Sequence, residues 1–208
     1  EYRGNINLSK VVDTIVGSIL KRTVEGRNYG VAVVAEGFLE FLNPDELKAL
    51  LTEHHSLEFD DHGHLRLSEL NFPDVLKFAI QRRLKELGIN IRINDQEIGY
   101  ELRCVDPCAF DIDYTRNLGF AAVDFLESGG SNAMVTIQGD QITPLRFEDL
   151  KDPETGKTRI RMVDINSLSF KIAREYMIRL KPSDFSDPSQ LKSLAAETNL
   201  SPEEFKRQ

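Results

Sequence analysis

Three side chains in this 208-residue sequence could together grip a ligand carrying both phosphate and hydroxyl groups: Glu36, Tyr100 and Arg103. A guanidinium can hold a phosphate bidentately, a phenol can donate one directed hydrogen bond, and a carboxylate can accept from hydroxyls. The set suits a phosphorylated polyol and contains no obvious nucleophile or general base. Glu36 follows the apolar run 30–35 and precedes Gly37. That puts it at the carboxyl end of a buried strand, where open α/β sheets bind ligands; a strand-end acid that simply faces water is the competing reading. Arg103 precedes an irregular segment and a helix with an acidic start, whose free N–H groups favour anions. Side chains at i and i+3 of a regular strand point to opposite faces, so Tyr100 and Arg103 can meet one ligand only if the strand breaks near Leu102.

The elements that must position these residues alternate along the chain. Leu8, Val12, Ile15, Val16, Ile19 and Leu20 recur at helical spacing, with Asn7 or Ser9 as caps and Gly26 as the stop. Residues 30–35, Gly-Val-Ala-Val-Val-Ala, form a continuous β-branched run of the kind buried on both faces of a sheet. Asn43-Pro44-Asp45-Glu46 and Asn71 with Pro73 start two further helices, the second running to Gly88. Residues 89–93 and 97–102 read as short strands. A helix from about Asp111 is expected to bury residues such as Phe110, Tyr114, Leu118 and Ala121. A strand at 133–137, a turn-rich excursion at 152–156 and a helix capped by Ser167 follow. From Ser183 the chain is polar, with capped helical patterns near Ser186 and Ser201. The expectation is an α/β fold: a three-layer sheet flanked by helices over residues 1–182 and a short helical tail over 183–208.

Composition narrows the function classes. A net charge of −8 argues against a general nucleic-acid surface. No apolar run approaches the ~20 residues that span a bilayer, and no signal-peptide pattern opens the chain. Cys104 and Cys108 are the only cysteines, a poor disulfide framework, so the expected compartment is the reducing cytoplasm and the expected state is two small buried thiols. His54, His55, His62 and His64, with Asp60 and Asp61, lack the spacing of a helical zinc motif and read as a polar connection. Arg82, Arg83 and Lys85 read as the wet face of a helix. No Ser-His-Asp arrangement, dinucleotide fingerprint or phosphate-loop motif is present.

Three spaced stretches carry a family resemblance: Tyr-Gly-Val-Ala-Val-Val-Ala-Glu-Gly from Tyr29, Gly-Tyr-Glu-Leu-Arg-Cys-Val-Asp-Pro from Gly99, and Phe-Asp-Ile-Asp-Tyr-Thr-Arg-Asn-Leu-Gly from Phe110. They resemble the sugar-phosphate half of the phosphofructokinases, matching in order and spacing over roughly residues 8–180. ATP-dependent bacterial members usually carry a histidine where Tyr100 stands and Arg-Gly-Gly where Arg103-Cys104-Val105 stands. The resemblance is therefore greatest to the pyrophosphate-dependent branch.

The resemblance implies a Rossmann-like fold and binding of fructose 6-phosphate, with Glu36 at the sugar hydroxyls, Arg103 near the 6-phosphate and Tyr100 beside it. Glu101 and Leu102 would contribute backbone. An arginine that the family uses a few residues earlier aligns with Asn94, with Arg92 nearby, and that role is not carried over. The family's donor-binding, Thr-Ile-Asp and Met-Gly-Arg segments are absent. The resemblance thus implies a carboxyl-terminal half with no catalytic residue and no metal ligand of its own, inactive alone, with magnesium and pyrophosphate bound by the amino-terminal half. It also implies a homo-oligomer working in glycolysis without nucleic acid or membrane. The alternatives are a non-catalytic regulatory subunit of the same kind or an ATP-dependent member.

Overall fold

The computed structural model describes residues 5–54, 70–153, 156, 158 and 162–207. They fall into two compact units: Glu1–Glu97 with Glu175–Gln208, and Ile98–Arg174.

The first unit is helical at its centre. In α1 (Leu8–Val24), Leu8, Val12, Val16 and Leu20 recur every four residues and are buried. That stripe packs on α3 (Phe72–Glu86), which buries Val75, Leu76, Ala79, Ile80 and Leu84. Between them in sequence, α2 (Pro44–Glu53) adds Leu47, Leu50 and Leu51 to the same core.

The starts of α2 and α3 follow local chemistry. Asn43 accepts hydrogen bonds from the backbone N–H groups of Asp45 and Glu46, and Asn71 from that of Asp74, each with a proline in the first turn. The start of α1 does not. Asn7 makes no side-chain cap; instead the Glu46 carboxylate accepts from Leu8 N at 2.6 Å and Ser9 N at 3.4 Å. A carboxylate from another helix thus meets the positive end of α1.

The chain returns to this core at its end. The short helices α7 (Pro182–Ser186), α8 (Pro188–Ala196) and α9 (Pro202–Phe205) follow, with Asp187 and Ser201 capping the last two. Leu194, Ala195 and Phe205 are buried in the core. Lys21 of α1 and Asp184 of α7 form an ion pair at 2.8 Å. Asn199 N donates to Leu87 O at 2.9 Å beside Gly88.

In the second unit, α4 (Gly99–Arg103) leads to α5 (Ala109–Glu127) and then to a hairpin of β1 (Ala133–Gln138) and β2 (Gln141–Arg146). The strands pair antiparallel from Ala133 opposite Arg146 to Gln138 opposite Gln141. Gly139 and Asp140 both have positive φ, 54° and 62°, the two-residue turn that matches strand twist. The helix α6 (Leu168–Tyr176) starts at Ser167, whose Oγ accepts from Phe170 N. Helix and strand therefore both occur, and the sheet among the described residues is this hairpin.

Three sequence expectations are corrected. Residues 30–35 form no strand, and Val31 and Val33 are 92% and 82% exposed. Residues 89–93 show the alternation of a strand, with Ile89, Ile91 and Ile93 half-buried on the core and Asn90 and Arg92 exposed, but they pair with no strand among the described residues. Residues 99–103 are helical. The reason for the first two is shared: a strand is completed by hydrogen bonds to another strand, and no described segment supplies one. Helix α5 also buries only Ala121, leaving Phe110 and Phe120 exposed, so its apolar residues have no core of their own to enter.

Candidate functional site

Tyr100 and Arg103 occupy one short helix. Residues three apart in a helix share a face, so α4 brings the pair together without any break in a strand. The Arg103 guanidinium lies 5.2 Å from the centre of the Tyr100 ring, within cation–π range. Both side chains are exposed, Tyr100 at 76%. Among the described residues Arg103 makes no ion pair; Arg82, Arg83, Arg116 and Arg146 each contact at least one carboxylate, while Arg22, Arg27, Arg92, Arg174, Arg179 and Arg207, like Arg103, do not. Arg103 thus presents a positive fork that no internal acid neutralises. Glu101 and Leu102 lie on the same helix and are also exposed, with Leu102 N donating to Ile98 O at 3.0 Å.

The helix start beyond Arg103 is less open to an anion than the sequence suggests. Cys108 N donates to Asp111 Oδ2 at 2.9 Å, and the Cys108 sulfur accepts from the backbone N–H of Asp111. These contacts close a reciprocal cap at the start of α5. The backbone hydrogen bond from Cys108, helped by its thiol, holds the Asp111 carboxyl below the usual carboxylate range. An internal carboxylate therefore already meets the positive end of the helix, and the anion-binding capacity rests on Arg103. Cys104 and Cys108 are free and exposed. The expectation of small buried thiols is corrected: they flank the turn between α4 and α5, where no described residue buries them.

Glu36 belongs to the first unit and opens a 3-10 helix, Glu36–Phe41, directly after Ala35 in an extended conformation. The approach to it is anchored at residue 29. Arg22 Nε donates to Tyr29 O at 2.6 Å, and the same guanidinium stacks 5.4 Å from the Tyr29 ring centre. A Cβ at Gly30 would lie 3.1 Å from Arg22 Nε, so the backbone passes close to that side chain. No sequence signal announced this clamp, because it joins a helix to a segment beyond its end.

The remaining charged clusters neutralise themselves. Lys77 bridges Asp74 and Asp95 at 2.6 Å each, which raises the lysine pKa and, through the Lys77 hydrogen bond, lowers that of Asp95. His54 contacts Asp74 at 3.2 Å and packs edge-on against Phe78, a structural role in keeping with a polar connection. His55, His62, His64, Asp60 and Asp61 lie outside the described residues. A groove of about 420 Å³ between α1, α2 and α3 contains Arg82 and Arg83. Its carboxylates Asp13, Glu53 and Glu86 pair with them, so it offers a phosphate no free cation. Arg82 is solvent-facing as the sequence suggests, while half-buried Arg83 is drawn into these pairs.

The chain is similar to several curated proteins. Over 98% of its length it is 44% identical to the pyrophosphate--fructose 6-phosphate 1-phosphotransferase of Naegleria fowleri, aligning with 46% of that protein. Over its full length it is 44% identical to the protein of that name from Thermotoga maritima, aligning with 50% of it. The chain resembles pyrophosphate--fructose 6-phosphate 1-phosphotransferases. It spans about half the length of these curated relatives. A more distant relative is the beta 2 subunit of the Arabidopsis thaliana protein of the same name, 24% identical over 88% of this chain and 39% of that subunit. No protein-family model matches the chain.

Proposed function

We propose that this chain is the fructose 6-phosphate-binding part of an enzyme that transfers phosphate from pyrophosphate to the 1-hydroxyl of that sugar. The observation that carries the reading is the exposed pair on α4, a guanidinium committed to no carboxylate and stacked on a tyrosine three residues earlier. In this reading Arg103 grips the 6-phosphate with charge-assisted hydrogen bonds and Tyr100 orients it while shielding one guanidinium face. Glu36 accepts from the sugar hydroxyls, and Glu101 and Leu102 contribute backbone. The grip supplies binding energy that holds the 1-hydroxyl in place for attack on the donor.

The reaction steps belong to the remaining half of the relatives' length. Among the described residues no three His, Cys, Asp or Glu side chains are grouped to hold a metal ion. The magnesium that shields pyrophosphate is assigned to that other half. The three-layer, phosphofructokinase-like sheet is likewise proposed for the longer protein, as are its homo-oligomeric state and its cytoplasmic setting. No described helix is long and apolar enough to cross a membrane.

The test is kinetic, in a polypeptide carrying this chain joined to the remaining half of the Thermotoga maritima relative. A charge-assisted hydrogen bond contributes about 1.5–3 kcal/mol, so Arg103→Ala should raise KM for fructose 6-phosphate about ten- to a hundredfold. Arg103→Lys should recover only part of the loss, because an ammonium cannot make the bidentate contact. An Arg103→Ala enzyme with unchanged kcat and KM would show that the guanidinium does not bind substrate.

A further inference from the structure

We infer that Cys104 and Cys108 are a redox pair that a peroxide closes to a disulfide, and that closure unwinds α4, the one-turn helix carrying Tyr100 and Arg103. They are the only cysteines in the chain, so an internal disulfide has one possible connectivity. Both are free and exposed. A structural thiol is ordinarily a small buried hydrophobe, and neither has that role here. Cys108 does cap α5, but serine, threonine, aspartate and asparagine are the preferred residues at that position, so capping alone does not require sulfur. Among the described residues no third His, Cys, Asp or Glu joins the pair to hold a metal ion.

The turn between the two thiols is free to close. The chain bends at Val105, and among the described residues Val105, Asp106 and Pro107 make no backbone–backbone hydrogen bond. The bonds at stake are those at the helix ends. Cys104 N donates to Tyr100 O at 3.0 Å and closes the last turn of α4, while the Cys108 sulfur accepts from the backbone N–H of Asp111. A disulfide needs α-carbons within about 7 Å and the two side chains turned toward each other. Forming it withdraws the Cys108 sulfur from Asp111 and pulls Cys104 off Tyr100 O. Helix α4 has five residues, too few to persist without its terminal hydrogen bonds. Uncoiling it parts Arg103 from the Tyr100 ring, because the helical turn is what sets residues three apart on one face.

The oxidant is hydrogen peroxide. One thiol, as its thiolate, attacks the O–O bond and becomes a sulfenic acid, and the departing hydroxide takes up the thiol proton as water. The second thiol displaces the sulfenic hydroxyl, forming the S–S bond and a second water. Two thiols thus lose two electrons and one peroxide is reduced to two waters. A dithiol reverses the step by thiol–disulfide exchange. In a reducing compartment a disulfide of this kind is transient and serves sensing, which suits a pair beside a substrate grip. The kinetic consequence rests on the phosphate role proposed for Arg103, whereas the disulfide and the unwinding of α4 do not.

The test treats the joined polypeptide, carrying the other half of the Thermotoga maritima relative, with hydrogen peroxide and then with dithiothreitol. Trypsin cleaves after Arg103 and Arg116, so both cysteines fall in one peptide, Cys104–Arg116. After peroxide and alkylation that peptide should carry no alkyl group and be lighter by two hydrogens. Amide exchange over residues 98–104 should quicken at least about tenfold. KM for fructose 6-phosphate should rise at least about tenfold, and dithiothreitol should reverse all three changes. Cys108→Ser keeps a cap on α5 and removes one thiol; its KM should match the parent and resist peroxide. Two free thiols after peroxide, or sulfinic and sulfonic acids without the disulfide, overturn the inference. A disulfide that leaves exchange over residues 98–104 unchanged overturns it as well. A Cys108→Ser enzyme that peroxide still impairs reversibly shows that one thiol suffices and overturns the pair. Unwinding with an unchanged KM overturns the link to the site if Arg103→Ala raises KM, and overturns the phosphate role of Arg103 instead if Arg103→Ala is silent.

Discussion

Replacing Asp184 by asparagine should uncouple the last helices from α1 in a pH-dependent way. Asp184 and Lys21 have side chains only 12% and 15% exposed, so their attraction is little screened by solvent. The carboxylate accepts from Lys21 Nζ at 3.0 and 2.8 Å and from Lys181 N at 2.7 Å. Burial pushes the Asp184 carboxyl up, but these hydrogen bonds and the neighbouring lysine charges outweigh it and leave its pKa below 3.8. Asparagine keeps the shape and one acceptor but loses the charge, leaving Lys21 half-buried without its counter-ion. Loss of a charge-assisted hydrogen bond costs about 1.5–3 kcal/mol, and breaking a fully buried pair costs about 3–5. For this partly wetted pair about 2 kcal/mol at pH 7 is expected, a fall in urea midpoint of about 1 M. A folded pKa below the unfolded value means the stabilisation is complete above 3.8 and is lost as pH falls through the folded value. The difference between the parent chain and Asp184→Asn should therefore be constant from pH 7 down to about 5 and close below that. The chain has no tryptophan, so far-UV circular dichroism and exchange in α1 and α7 are the readouts. A difference under about 0.5 kcal/mol at pH 7, within the range of ordinary surface substitutions, would refute the pair as a clasp. So would a difference equally large at pH 3.

Two further substitutions probe the return of the chain to its core. Leu194→Ala empties a fully buried site and should cost about 2–5 kcal/mol by urea unfolding; a cost below about 1 would mean that α8 is not part of the core. Gly88→Ala meets two obstacles, a φ of +75° and a Cβ 3.0 Å from that of Asn199. It should cost more than about 1 kcal/mol and speed exchange of the Asn199 amide, and a neutral or stabilising result would contradict the observed close approach.

Helices α1, α2 and α3 were legible because their information is local. Apolar residues at helical spacing, asparagine caps and prolines in the first turn act within a few residues of one another. The same holds for the β1 strand and for Ser167 at the start of α6. Even among the caps, though, Glu46 reaches α1 from 38 positions away, and no pattern around Asn7 reveals it. The reading of Tyr100 and Arg103 as a candidate site came from their residue types and from the resemblance, and their shared helix face came from the fold. Glu101, Leu102 and Arg103 are good helix formers, a signal that could have been weighed against the strand reading. The Cys108-x-x-Asp111 spacing likewise matches a reciprocal helix cap.

Sequence by itself determined which segments are apolar, how often, and which side chains could hold a phosphorylated sugar. Tertiary structure decided whether those segments became strands. Residues 30–35 and 89–93 have the composition and alternation of strands, but a helix closes its hydrogen bonds within itself and a strand must borrow them from another part of the chain. The same distinction explains the site: one turn of helix suffices to set Arg103 on Tyr100, whereas the strand that was to deliver Glu36 needs a partner that the described residues do not supply.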